Sequence, residues 1–203
     1  MSDTAVVFDL GGVLIDWDPR HLYRKVFRDP ARMAWFLDTI CTGDWNLRQD
    51  GGRPLAEATA GLVAQWPEWE PQIRAYYDRW EEMLGGAFDD TVALLDDLAA
   101  AGVPLYALTN WSAETFHHAE ARFAFLRLFD GLLISGREGM RKPEPEIFRL
   151  LSRRFDLAPE RTLFIDDHGP NIESARALGF HGHHFSDPAV LRRELVAFGL
   201  LPS

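Results

Sequence analysis

Asp166 and Asp167 stand side by side after the apolar run Leu163-Phe164-Ile165, and Asp9 closes a second run, Val6-Val7-Phe8. Two or three carboxylates brought to one spot repel each other unless a hard cation neutralises them, and ligation by oxygen alone suits Mg²⁺. Thr109 and Asn110 follow another apolar run, and Lys142 lies beyond a fourth. A hydroxyl donor and the point charge of an ammonium are what a phosphoryl oxygen needs. Metal, lysine, hydroxyl and a free carboxylate together make a phosphoryl-transfer site. Taken singly, each residue has an ordinary explanation: a strand-end Asp is usually a helix cap or loop acid, and a lone loop lysine is usually solvated. Capping does not account for the ordered set.

The residues meet only if the elements carrying them end on one edge. Short apolar runs at 4–9, 103–109, 131–135, 161–166 and 181–185 predict strands. Helical patterns at 89–101, about 112–125, 145–155, 171–178 and 187–198 lie between or after them; the first has Asp89 or Asp90 as N-cap and Gly102 as its stop. This alternation predicts βαβ units and an α/β fold with a Rossmann-like parallel sheet core. Ligands of such sheets bind beyond the carboxyl ends of the strands, which collects Asp9, Thr109, Asn110, Lys142, Asp166 and Asp167. One interval breaks the rhythm. Residues 16–85 carry helical patterns at 20–28, 31–40, 54–66 and 69–84, no convincing strand, and six of the seven tryptophans. The expected organisation is a core of 1–15 and 86–203 with a helical cap, 16–85, closed by Gly85-Gly86 and overhanging the sheet edge.

The chain has 203 residues, 47% hydrophobic and 26% charged, enough for one domain with an insertion. With 16 Gly, 12 Pro and one Cys, collagen-like, low-complexity and disulfide-scaffold classes drop out. No apolar run approaches the roughly 20 residues of a membrane helix, so no membrane partner is expected. The N-terminal residues lack the basic stretch and apolar core of a signal peptide, and Cys41 has no intrachain partner. A reducing, cytoplasmic location is therefore expected. The net charge of −10 argues against nucleic acid. A phosphorylated substrate would need local positive charge. Of 21 basic residues two are lysine, Lys25 and Lys142, which singles both out.

Four segments carry a resemblance: Val7-Phe8-Asp9-Leu10-Gly11-Gly12-Val13-Leu14, Leu108-Thr109-Asn110, Gly139-Met140-Arg141-Lys142-Pro143-Glu144-Pro145-Glu146-Ile147-Phe148, and Leu163-Phe164-Ile165-Asp166-Asp167-His168-Gly169-Pro170-Asn171-Ile172. In this order they resemble the four motifs of the haloacid dehalogenase-like hydrolase superfamily, and 16–85 corresponds to its helical cap. The resemblance implies a Mg²⁺-dependent phosphatase of small phosphorylated metabolites. Asp9 would be nucleophile and metal ligand, and Thr109, Asn110 and Lys142 would hold the phosphoryl group. Asp167 would be the direct acidic metal ligand, Asp166 would stand beside it in the metal set, and Asn171 would lie in the outer shell. The Asp-Leu-Gly first motif and the Gly-Met-Arg-Lys-Pro-Glu third motif resemble a branch that includes sugar 1-phosphate phosphatases. Whether such a chain is a monomer or a dimer stays open.

One position departs from the usual pattern. Phosphatases of this superfamily carry an acid/base Asp two residues after the nucleophile; here the residue is Gly11. Its carbonyl can still face a metal, but a proton donor worth about 10²–10⁴-fold is gone. A leaving group that needs little protonation, a substitute among Asp16, Asp18 and His168, or low turnover with ligand binding would each accommodate the loss. So would a metal-independent 2-haloacid dehalogenase using Asp9, although those enzymes usually have Ser-Asn where Asp166-Asp167 stand. His181, His183 and His184 alternate faces in a predicted strand and lack further ligands at metal spacing. Trp45 and Arg48 lie near the Asp50-Gly51 turn, where an aromatic and a cation could read a sugar or a carboxylate. Leu10-Gly11-Gly12 lacks the third glycine of a dinucleotide loop, and no Gly-x-Ser-x-Gly elbow exists.

Overall fold

A computed structural model describes residues 4–202. Strand β1 (Ala5–Phe8) leads through a tight turn into β2 (Ile15–Trp17). Five helices follow: α1 (Pro19–Val26), α2 (Pro30–Thr39), α3 (Gly43–Asp50), α4 (Leu55–Gln65) and α5 (Glu70–Asp78). Strand β3 (Leu84–Ala87) returns the chain to α6 (Asp89–Ala100) and β4 (Leu105–Thr109). Next come α7 (Phe116–Arg122), β5 (Gly131–Ile134), α8 (Ser135–Glu138) and α9 (Pro145–Phe155). The chain ends with β6 (Thr162–Asp166), α10 (Gly169–Ala177), β7 (His181–His184) and α11 (Pro188–Ala197).

The five expected strands form one parallel sheet in the order β5-β4-β1-β6-β7. Side chains alternate across it, as a pleated strand requires. Val6 and Phe8 join the apolar cluster of Leu94, Leu98, Leu191 and Leu195, whereas Val7 joins Ile147, Phe148, Leu151 and Ile172 on the other face. Helices therefore cover both faces, and the strands read as continuous apolar runs. Three helices open on the same dipeptide. Asp18, Asp29 and Asp187 cap α1, α2 and α11 with their carboxylates, and the following prolines occupy N1, where a missing N–H costs nothing.

The insertion departs from expectation in three places. It is bracketed by strands: β2 and β3 pair antiparallel, Ile15 with Ala87 and Asp16 with Gly86. Three residues on one side and two glycines on the other give no periodic signal. At Gly85 a Cβ would run into the Asp16 carboxylate, which would have to move aside. The pattern expected to run as one helix over 69–84 stops at Asp78, and Trp80–Met83 forms a 3₁₀ turn that buries Trp80 and Met83. Helix α3 was not expected from Gly-Asp-Trp-Asn-Leu-Arg-Gln-Asp, whose apolar content is low. It is held by the Thr42 side-chain cap and by burial of Trp45. In the core, α7 is shorter than 112–125, since 112–115 form the turn after β4, and Phe88 rather than Asp89 or Asp90 is the N-cap of α6. Apolar packing is continuous between insertion and sheet, joining Tyr23, Phe36, Tyr76 and Trp80 to Leu14, Trp111 and Phe8. Among the described residues no helix is long and apolar enough to cross a membrane.

Candidate active site

Strand order explains why the chemistry-bearing residues meet. β1 is central, between β4 and β6, so Asp9 emerges between the ends of both. The ladder continues past the strand, with Asp9 N–H donating to the Ile165 carbonyl at 2.8 Å. That register sets Asp9 beside Asp166. One carboxylate oxygen from each of Asp9, Asp166 and Asp167 falls within 4.8 Å of the others. Asp9 and Asp166 are buried and Asp167 is exposed.

Lys142 reaches this cluster from the loop between α8 and α9. Its ammonium has three protons and three acceptors: Asp9 Oδ2 at 2.8 Å, Asp166 Oδ2 at 2.7 Å and the Leu108 carbonyl at 2.8 Å. No part of its side chain is exposed. Burial works against its charge, but Asp166 and Asp9 outweigh that and hold the ammonium above the usual lysine range. The other lysine, Lys25, pairs with Glu82 on the surface. The loop is fixed by Asn110, whose Nδ2 donates to the Lys142 carbonyl and whose Oδ1 accepts from the Lys142 N–H, both at 2.9 Å. The Asn110 carboxamide is thus anchored on Lys142, with one Nδ2 proton left over. Thr109 is buried at the carboxyl end of β4.

Asp166 is likewise committed. Its Oδ1 accepts from the His168 N–H at 2.8 Å, and the Asn171 amide donates to both oxygens at 3.0 Å. Together with Lys142 these bonds occupy both oxygens. Asp9 is less completely held, by the Leu10 N–H at 2.7 Å and by Lys142. Its burial, reinforced by Asp166 and Asp167 and opposed by Lys142, pushes the Asp9 carboxyl up to about 7. One ammonium does not balance three carboxylates, and the donor set is all oxygen, so the cluster fits a hard divalent cation. Gly12 is what lets the two loops approach. Its φ is +75°, and a Cβ there would overlap the Asp167 carboxylate.

Gly11 sits differently. A Cβ would meet nothing within 4 Å, and the residue faces a small cleft of about 50 Å³ under the helical insertion. Asn110 and Trp111 line it from the core, Trp17 from β2, and Asn46, Asp50 and Trp80 from the insertion. Neither Asp16 nor Asp18 lines it; Asp16 pairs with His21 at 2.9 Å, and Asp18 caps α1. His168 lends its backbone N–H to Asp166. Trp45 turns away, packing on Tyr76 and Tyr77, and Arg48 lies on a separate groove with Thr39 and Trp66. Of the residues facing Gly11, Asn110 is a candidate the sequence points to, whereas Trp17, Asn46, Asp50, Trp80 and Trp111 are not, although Asp50 has one signal, an acid before the double glycine of a tight turn. His181 and His184 bond to the Glu160 and Asp167 carbonyls, and His183 is buried.

Comparison with known proteins agrees with this geometry. Residues 4–179 match the haloacid dehalogenase-like hydrolase family. The chain is 30% identical over 192 residues to the sesquiterpene phosphatase astK of Aspergillus oryzae, covering 94% of each protein. It is 28% identical over 181 residues to the N-acetylmuramic acid 6-phosphate phosphatase of Pseudomonas aeruginosa, covering 86% of this chain and 78% of that one. A HAD family enzyme of Bacteroides thetaiotaomicron, solved with magnesium and inorganic phosphate, superposes with a TM-score of 0.68 at 25% identity. The match covers 93% of this chain and 98% of the other. With a five-stranded parallel sheet, a helical insertion after its first strand and a family match over most of its length, this chain belongs to the haloacid dehalogenase-like hydrolases.

Proposed function

We propose that the chain is a Mg²⁺-dependent phosphatase of small phosphorylated metabolites that works through an aspartyl-phosphate on Asp9. The observation that carries this reading is the convergence of Asp9, Asp166 and Asp167 within 4.8 Å around the buried Lys142 ammonium. Similarity to two phosphatases, and to an enzyme solved with magnesium and phosphate, supports it. In this reading residues 16–85 are the cap and 1–15 with 86–203 the core. A cytoplasmic location belongs to the same reading and is supported by the single cysteine, Cys41, which is buried. Sugar phosphates are the first substrates to test, as the Pseudomonas relative acts on one.

The residues divide the work. An Asp9 carboxylate oxygen forms the bond to phosphorus as the bond from phosphorus to the leaving oxygen breaks. Leu10 N–H and Lys142 fix the orientation of that carboxylate. Lys142 stands beside the attacking oxygen, where charge builds on the phosphoryl oxygens. Thr109 and Asn110 complete the phosphoryl cradle. Asp166 holds Lys142 rather than the substrate. Asp9, Asp167 and the Gly11 carbonyl, with Asp166 adjoining, would hold Mg²⁺, which when bound would neutralise that charge as a Lewis acid. Water then attacks the phosphorus of the aspartyl-phosphate, returning Asp9 and releasing phosphate.

The test is release of nitrophenol from p-nitrophenyl phosphate with Mg²⁺ and with EDTA, using Asp9→Asn as the blank. That leaving group departs without a proton, so the assay is indifferent to Gly11. Activity that needs Mg²⁺ and vanishes in the variant is the expected result. Equal activity in EDTA, or halide release from 2-chloropropionate without phosphatase activity, overturns the reading in favour of the dehalogenase. The intact acid pair at 166–167 weighs against that outcome.

A further inference from the structure

Core side chains hold the last turn of α3 at two backbone atoms. Carbonyls at a helix end lack partners within the helix. The N–H groups of Gly51, Gly52 and Arg53 turn back to the Leu47, Gln49 and Arg48 carbonyls, and the Ser135 hydroxyl donates to the Asp50 carbonyl. Arg141 Nη1 adds a second bond to the Leu47 carbonyl at 3.0 Å, a cation placed where the helix dipole favours one. Both core residues lead to the loops that carry the proposed phosphoryl contacts. Arg141 precedes Lys142 in the chain. Ser135 Oγ accepts from the Trp111 N–H at 2.9 Å, next to Asn110. The Asn110 carboxamide in turn bonds both backbone groups of Lys142. The links close on themselves, from α3 through Arg141, Lys142, Asn110, Trp111 and Ser135 back to α3. Ser135 and Trp111 are buried, and the Arg141 side chain is 31% exposed. Elsewhere on α3, Asn46 and Asp50 line the cleft before Gly11. Burial pushes the Asp50 carboxyl up to about 7, against the pull of the Ser112 N–H and Arg141.

We propose that Arg141 and Ser135 are positioning residues that tie the Lys142 and Asn110 backbones to α3, so that the seat of the insertion sets where the Lys142 ammonium lies. The effect on rate rests on the phosphatase reading; the mechanical link does not. Buried along its whole length and saturated at its tip by Asp9, Asp166 and the Leu108 carbonyl, the Lys142 side chain has little room to absorb a shift of its backbone. Two arms join α3 to that backbone, one through Arg141 and the other through Ser135, Trp111 and Asn110. Either arm alone constrains the loop, and only loss of both releases it. Two residues acting through unconnected contacts would have effects that simply combine.

The test uses Arg141→Met, Ser135→Ala and the double variant, assayed with p-nitrophenyl phosphate and Mg²⁺. Vanadate mimics the phosphoryl transition state, and its Ki, unlike kcat, does not depend on how much of the protein is folded. Each single variant is expected to raise that Ki about threefold and the double variant about 30-fold or more, beyond the product of the two. A double effect equal to the product, or an unchanged Ki, overturns the proposal. Glu144→Gln is the control, because it removes the charge that pairs with Arg141 at 3.3 Å and keeps the bond to Leu47. Its Ki is expected to match wild type, and an effect as large as that of Arg141→Met overturns the role given to Arg141. Amide hydrogen exchange reads the link without turnover. In the double variant, exchange is expected to quicken about tenfold over 47–53 and also at the Lys142 N–H, whose acceptor on Asn110 neither substitution touches. That result supports the link even if no phosphate ester is hydrolysed. Quickening confined to 47–53 overturns it and leaves the phosphatase reading intact.

Discussion

Lys142 and Asp166 form an ion pair at 2.7 Å in which neither side chain has any exposed surface. Removing one member of such a pair leaves the other charge buried and uncompensated, which costs more than the pair contributes. Lys142→Met strands two carboxylates, Asp9 and Asp166. The expected outcome is a loss of about 3 kcal/mol in urea unfolding, together with loss of phosphatase activity. A Lys142→Met protein as stable as the wild type would mean that the acids do not need this counter-charge.

Asp9→Asn separates chemistry from folding. It removes the proposed nucleophile but also one of three mutually repelling carboxylates, so the fold is expected to survive with an unfolding temperature no lower than wild type without metal. Turnover of p-nitrophenyl phosphate is expected to fall to background. Wild-type-like turnover in the variant would sink the aspartyl-phosphate route.

Metal should reveal itself through stability as well as rate. A ligand present at about 100 times its Kd stabilises by about 2.7 kcal/mol, roughly 5 °C or more for a chain of this size. Addition of Mg²⁺ is expected to raise the unfolding temperature by that order, with EDTA reversing it and Asp167→Asn reducing it. No shift in a thermal melt at millimolar Mg²⁺ would argue that the cluster holds no divalent cation.

The neighbouring glycines have opposite expected responses. At Gly12 the φ of +75° and the overlap with Asp167 make Gly12→Ala destabilising by about 2 kcal/mol, with weakened Mg²⁺ dependence. At Gly11 a side chain enters open space, so Gly11→Asp should fold normally. It is expected to raise hydrolysis of alkyl phosphates more than of p-nitrophenyl phosphate, because only the former leaving group needs a proton. Equal effects on both substrates would remove the argument from the missing acid.

Asp50 gives a pH signature. An acid whose carboxyl is near 7 when folded and near 3.9 when unfolded holds a proton in the native state that the unfolded chain has released. Its contribution to stability therefore falls as pH rises from about 4 through 7, and is lowest above that. Asp50→Asn is expected to be more stable than wild type at pH 8 by about 2 kcal/mol, the difference closing near pH 4. Denaturant titrations at the two pH values check this, and a variant less stable at pH 8 contradicts it.

Much of the core was legible in the chain because the signals were local. Apolar runs of strand length, helical periodicity and glycine stops each act over a few residues. Their alternation specifies a parallel sheet whose strand ends bear Asp9, Thr109 and Asp166. The insertion was read less well. The β2–β3 hairpin pairs residues some 70 positions apart with little periodicity to announce it, and α3 is stabilised by a cap and a buried indole rather than by pattern.

The sequence by itself determined which residues stand at the ends of the parallel strands, since strand periodicity and crossover connections leave them one edge to occupy. Tertiary structure alone decided how those residues are spent. Saturation of the Lys142 ammonium joins Asp166 and Leu108, 24 and 34 residues away, to Asp9 at the far end of the chain. Arg141 reaches 94 residues back to the Leu47 carbonyl, and Asp50 comes to face Gly11. Hydrogen-bond satisfaction and close packing act between groups brought together in space, so partners distant in the chain leave no spacing rule by which to find them.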